Sequence, residues 1–411
     1  MLQQFKLILV ILFLTATSFI FAQSITKENI ENAEKLIDLN FTDAERDSML
    51  SYLEEQKENY NKIRNVELNN SVMPSLLFNP IPVGFMFPQG SADVKFSDYS
   101  NTVMPANKDE LAFYTIGQLA ELIRTKLISS TELTKFFIDR LKKFDPVLHC
   151  VISFTEERAF RQAKIADEEI AAGKYRGLLH GVPFGVKDLL ATKDYKTTWG
   201  AMPYKDQMID EDATVIKKLE DAGAVLIAKL SMGALAWGDV WFGGKTRNPW
   251  DTTQGSSGSS AGSAASVSAG LVPFAIGTET YGSIVSPSTV CGTTGLRPTY
   301  GRVSRTGAMA LSWSMDKIGP ICRSAEDLAI VFNSIHGVDG IDQTLYNVSF
   351  NYQPSINLKG LKIGYLKNDF DRQYDFHSND SLTLLKLKEL GAELIPIELP
   401  DYPVNDLAIM L

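Results

Sequence analysis

Residues Gly255 to Gly270 read GSSGSSAGSAASVSAG, nothing but glycine, serine, alanine and valine inside a chain of 411 residues. Composition alone describes a flexible linker between two domains. The flanks describe the opposite. The stretch follows the turn-like TRNPWDTTQ and runs straight into LVPFAIGTETYGSIVSP, an apolar strand followed by a polar loop. A linker separates self-sufficient units, whereas this segment lies inside a strand–helix–strand succession. Its small residues therefore predict a tightly packed loop and helix, where missing side chains let backbones approach closely.

Outward from that segment the same alternation continues. GVPFGVKD, AVLIAKL, VPFAIGTE, LKIGYL and AELIPIEL read as short apolar strands, and DATVIKKLEDAG reads as a helix between the first two. Such alternation indicates an α/β sheet with helices on its faces. Before it, TIGQLAELIRTKLISSTELTKFFIDRLKKFDP is helical, with Ser130 or Thr131 expected to cap a second helix ahead of Leu133. Earlier still, the segment from Ile25 to Ile63 has apolar residues at helical intervals among acids and lysines, which predicts two amphipathic helices. Prolines and glycines break any long element between about Asn69 and Asn107, an irregular connection. The expected division is a helical extension with its connection over 24–110 and one α/β domain over 111–411. The closing NDLAIML reads as the opening of another helix, so the domain is expected to be incomplete at its C-terminus.

Hydrophobic residues make up 45%, charged residues 22% and aromatics 10%, the balance of a folded soluble protein. A net charge of −9, with no dense basic run carrying interleaved aromatics, argues against a nucleic-acid surface. At the N-terminus Lys6 precedes an apolar run from Leu7 to about Ala22, then small and polar residues. This is the order of a secretory signal peptide over 1–23, shorter in its apolar part than a comfortable membrane span. The expectation is an exported protein, periplasmic or extracellular, with no stable membrane insertion after cleavage. Cys150, Cys291 and Cys322 are too few and too widely spaced for a disulfide framework and read as small buried residues. His149, His180, His336 and His377 lack metal-binding spacing, so no metal site is expected; no organic cofactor is expected either.

Three motif tests compete for the chemistry of the glycine-serine segment. GGKT, Gly243 to Thr246, resembles the end of a phosphate-binding P-loop, but the glycine required five residues before Gly244 is Asp239. GSSAG, Gly258 to Gly262, fits a nucleophile elbow centred on Ser260, with His336 or His377 as possible bases. That motif needs a strand immediately before the serine, and NPWDTTQGS does not read as one. The third test uses a base other than histidine. Lys187 ends the apolar strand of GVPFGVKD, where burial would lower its pKa and let the neutral amine deprotonate a serine. Alone, such a lysine reads more readily as a surface residue closing a strand.

The order and spacing of GVPFGVKD, GSSGSSAGSAA, GTETYGSIVSP and GLRPTYGRVSRTGAMALSWSMDKIGPI resemble the amidase signature family of serine hydrolases, densely from about Thr115 to Asp342. The resemblance implies an α/β/α sandwich around a mixed twisted sheet and a serine–serine–lysine triad. By motif, Lys187 matches the family's lysine, Ser259 its bridging serine and Ser283 its nucleophile. It also implies a cis peptide bond between Gly258 and Ser259, and an oxyanion hole from the backbone of Thr280, Tyr281, Gly282 and Ser283. Two departures stand out: many members have glycine where Tyr281 stands, and many have arginine just after the nucleophile, where this chain has Val285 and Ser286. The SIVSP form is similar to that of bacterial peptide amidases. The expected function is hydrolysis of a carboxamide in a small molecule or peptide through an acyl-enzyme. One alternative is the glutamine-hydrolysing A subunit of a glutamyl-tRNA amidotransferase, against which export argues. Another is a catalytically silent binding protein on the same scaffold.

Overall fold

Residues 183–187, PFGVK, are buried without exception, as a central strand covered on both faces must be. This strand, β2 (Pro183–Lys187), lies between β3 (Val225–Leu230) and β4 (Phe274–Glu279), parallel to both. Antiparallel strands complete the sheet, β1 (Val151–Phe154) beside β3 and β6 (Lys317–Cys322) beside β4, with the short β5 (Thr294–Gly295) at the far edge. The order is β1-β3-β2-β4-β6-β5, a mixed sheet. The computed structural model describes residues 24–87 and 93–404; the expected signal segment and the closing NDLAIML lie outside them.

Helices α3 (Ile116–Arg124), α4 (Ser130–Leu148), α5 (Glu156–Ala171), α6 (Thr214–Asp221), α7 (Ala261–Ser268), α8 (Val285–Cys291) and α9 (Ala325–Ile335) surround this sheet in an α/β/α sandwich. A separate pair, β7 (Lys362–Leu366) and β8 (Glu393–Ile397), is parallel and joined through α10 (His377–Glu389). The cap of α4 differs from expectation. Ser129 accepts from the Glu132 N–H, and Glu132 answers at the Ser129 N–H, a full capping box. Ser130 and Thr131 instead donate their N–H groups to the Asp167 carboxylate, at 2.6 and 3.0 Å, which docks α4 on α5.

The glycine-serine segment is not a linker. Its second half is α7, buried from Ala261 through Val267 against the sheet. A side chain at Gly262 would collide with the Cys150 carbonyl and the backbone of Ser231, so only glycine admits this approach. One sequence expectation is corrected here. Asp251–Gly255, in the stretch expected to hold no strand, pairs antiparallel with Arg247–Asn248 in a small hairpin outside the main sheet.

The chain divides between Val72 and Met73. In the first unit α1 (Lys27–Ile37) and α2 (Asp43–Arg64) each start with a capping box, on Thr26 and Thr42. Arg46 joins the two helices by a paired contact with Glu34, at 2.8 and 2.7 Å.

Candidate active site

Lys187 is the last residue of β2 and Ser259 and Ser260 immediately precede α7, so strand end and helix start deliver three polar side chains to one point. Lys187 is fully buried. Its Nζ lies 2.7 Å from Ser259 Oγ, 2.9 Å from Thr278 Oγ1 and 3.2 Å from Ser260 Oγ. Burial brings its pKa down to about 7, while the carboxylates of Asp316 and Glu279 act in the opposite sense. A neutral amine in that setting can take a proton from the hydroxyl it touches.

The two adjacent serines have different surroundings. Ser260 donates to the Thr278 carbonyl at 3.0 Å and accepts from the Thr278 N–H at 3.1 Å, so its hydroxyl is consumed in fastening α7 to β4. Among the described residues the Ser259 hydroxyl bonds to Lys187 alone. Ser260 therefore lacks the exposed position and histidine partner that an elbow needs. His336 instead packs against Phe332 and Phe350. The peptide bond before Ser259 is cis. Thr246, at the end of GGKT, directs its hydroxyl inward to the His149 carbonyl and Ser231, not to a phosphate site.

Ser283 is half-buried in the turn between β4 and α8. Its carbonyl accepts from the Ser260 N–H at 3.1 Å, which binds the turn to the start of α7. Ser283 and Ser259 are thus brought to one site, but their hydroxyls share no hydrogen bond among the described residues. The turn is strapped from three sides. Glu279 accepts from the N–H groups of Ile284 and Val285, at 2.8 and 3.0 Å. Thr280 donates its hydroxyl to Asp316 at 2.5 Å, and Lys317 donates to the Thr280 carbonyl at 2.9 Å. Gly282 takes φ +98°, which favours glycine. Among the described residues, the N–H groups of Gly282 and Ser283 donate to no protein acceptor, as a pocket for a developing oxyanion requires. A cleft bounded by Ala236, Thr280, Met309, Trp313 and Asp316 opens beside Thr278.

Sequence reasoning missed a second buried charge cluster, on the opposite face of the sheet. Lys229 pairs in register with Val186, so its side chain leaves the sheet away from that of Lys187. Both Lys229 and Asp188 are fully buried, 3.0 Å apart. Lys229 also donates to Thr197 Oγ1 and the Leu190 carbonyl, at 2.6 and 2.9 Å, and Asp188 accepts from the N–H and hydroxyl of Thr198. The pair anchors the chain just after Lys187. The available signal was a lysine in the interior of an otherwise apolar strand. All three cysteines are buried and free.

The family model described as Amidase matches residues 132–409. The A chain of the glutamyl-tRNA(Gln) amidotransferase of Coxiella burnetii (strain Dugway 5J108-111) is 43% identical over 294 residues, 70% of this chain and 61% of that protein. The chain thus spans about three fifths of the length of this curated relative. The solved peptide amidase of Stenotrophomonas maltophilia superimposes with a TM-score of 0.65 at 33% identity, covering 70% of this chain and 62% of that one. A bacterial aryl acylamidase gives 0.66 at 28% identity, over 72% and 64%. A mixed sheet carrying a buried lysine against two successive serines, together with a family match over most of the chain, places this protein in the amidase signature family.

Proposed function

We propose that the protein hydrolyses a carboxamide C–N bond, with Ser283 as nucleophile, Ser259 as relay and Lys187 as base. The observation that carries this reading is the 2.7 Å contact between a fully buried lysine amine, with pKa near 7, and the Ser259 hydroxyl. Ser283 Oγ attacks the amide carbonyl; its proton passes to Ser259 Oγ while the Ser259 proton passes to Lys187 Nζ. Negative charge on the former carbonyl oxygen is received by N–H groups of the turn from Thr280 through Ser283. The C–N bond then breaks as the proton returns through Ser259 to the departing nitrogen. Water repeats the sequence on the acyl-enzyme, releasing the acid and restoring Ser283.

Two finer readings follow, each with its own support. Identity to relatives favours the glutamine-hydrolysing member of an amidotransferase, because the 43% match is the A chain of such an enzyme. The residues after the nucleophile favour a self-standing amidase: Val285 and Ser286 offer no cation where the family commonly has arginine. Mapping the adduct of a fluorophosphonate on the full chain by mass spectrometry tests the shared mechanism. The label is expected on Ser283. A label on Ser260 would overturn the assignment.

Export is proposed on the order of Lys6, apolar run and FAQS junction. Protein isolated from its natural host is expected to begin at Gln23 or Ser24. Intact Met1 at its N-terminus would refute cleavage.

A further inference from the structure

One stretch of the sequence still lacks a role: GDVWFGGKT, Gly238 to Thr246, which does not complete a phosphate loop. It folds as a small hairpin, Val240–Trp241 against Gly244–Lys245, closed at its base by the Thr246 N–H on the Asp239 carbonyl at 3.0 Å. The hairpin is fastened to the segment that carries the relay serine. The Thr246 carbonyl accepts from the Ser256 N–H at 3.0 Å, and the Asp239 carboxylate accepts from the Ser257 N–H at 3.1 Å. A side chain at Gly258 would collide with the Gly238 carbonyl, and one at Gly255 with the Asp239 carboxylate, so the base of the hairpin lies directly on this segment.

Ser257 is the unusual member of that segment. Its φ is +60°, in the left-handed region where glycine is the default and a serine is held at a cost. The contacts it makes there explain why a serine is useful. Its N–H is spent on Asp239, and its hydroxyl meets the Ser286 hydroxyl at 2.8 Å, on the helix that follows the nucleophile. Ser286 donates its own N–H to the Gly282 carbonyl at 2.7 Å, which closes the turn around Ser283. On the other side of Ser259, the Ser260 N–H bonds to the Ser283 carbonyl at 3.1 Å. Two ties therefore join the relay segment to the nucleophile turn, one on either side of Ser259. The second of these is a contact to backbone. The first depends on two hydroxyls and on the carboxylate that holds Ser257 in place.

We propose that Asp239 and Ser257 are positioning residues for the proton relay: the carboxylate fixes Ser257, and the contact between Ser257 and Ser286 limits how far Ser259 can move from Ser283. This rests on the triad proposed above. Neither residue touches the reacting atoms; each acts through Ser259. Losing the tie spoils the geometry of proton transfer while leaving substrate binding alone, and a misplacement of about 1 Å in such a group costs up to ~10²-fold in rate.

The test is the rate at which a fluorophosphonate labels Ser283 in the full chain, resolved into a maximal rate and a half-saturating concentration. Ser257→Gly keeps the left-handed backbone and loses only the hydroxyl. It is expected to label about tenfold more slowly at saturation, with half-saturation little changed and a urea midpoint no lower than that of wild type. Ser286→Ala is expected to give the same loss, and the double variant no more than either alone, because all three remove one contact. Asp239→Ala should slow labelling by a similar factor, and Asp239→Asn, which keeps an oxygen for the Ser257 N–H, should recover most of it. The rising limb near pH 7 should stay in place throughout, because the charges that act on Lys187 are those of Asp316 and Glu279. Ser257→Gly protein that labels at the wild-type rate would overturn the assignment and leave the triad standing. Losses that multiply in the double variant, or a limb that moves in Asp239→Asn, would also overturn it. Wild-type protein with no label on Ser283 would instead overturn the triad, and this assignment with it.

Discussion

Ser283→Ala is expected to lower kcat by about 10⁶, the loss found when a serine-hydrolase nucleophile is removed and only binding and oxyanion contacts remain. Lys187→Ala removes a general base and is expected to cost about 10²–10⁴. The pH dependence separates a base from a merely structural lysine. Lys187 must be neutral to accept a proton, so wild-type kcat/KM should rise with pH through about 7 and then level off. Whatever activity survives in Lys187→Ala should lack that rising limb. A limb that persists in the variant would assign the titration to another group and remove Lys187 from the mechanism.

The second large effect lies on stability. Lys229→Met leaves the Asp188 carboxylate buried without its counter-ion, and breaking a buried pair in this way costs about 3–5 kcal/mol. Asp188 would retain only the N–H and hydroxyl of Thr198. Urea unfolding of the variant should show that loss as a lower midpoint. In Asp188→Asn/Lys229→Met both charges are gone, and most of the loss should be recovered, because the penalty belongs to the unpaired charge. A single variant within about 1 kcal/mol of wild type would mean that the pair contributes no more than an exposed one.

The parts of this architecture that depend on local pattern were legible in the sequence. The apolar runs around Val186, Leu226 and Ile276 are strands, and the small residues from Ala261 to Val267 form a packed helix because small side chains alone fit there. Lys187 could be placed because it ends such a run, although its isolated reading was ambiguous until the other motifs joined it. Features set by distant partners were not legible. Lys229 and Asp188 are separated along the chain and meet through the register of β2 and β3. The cap of α4 fell on Ser129 rather than its neighbours because Asp167, on another helix, takes the next two N–H groups. The Asp251–Gly255 hairpin strand has no apolar alternation, since it covers no core. Its pairing is set by the turn that precedes it.

Burying Lys187 also ties reactivity to the proton balance of folding. An unfolded lysine holds its proton up to about 10.5, whereas the folded one releases it near 7. Between those values the unfolded chain binds more protons than the native one, so this residue's contribution to native stability increases as pH rises through that interval and is constant above it. Below about 7 the folded state bears the full cost of holding a charge away from water. An apolar replacement at 187 would escape that cost and, with it, the reactivity. The protein is therefore expected to be less stable than its core permits at neutral pH, a debt incurred at one atom.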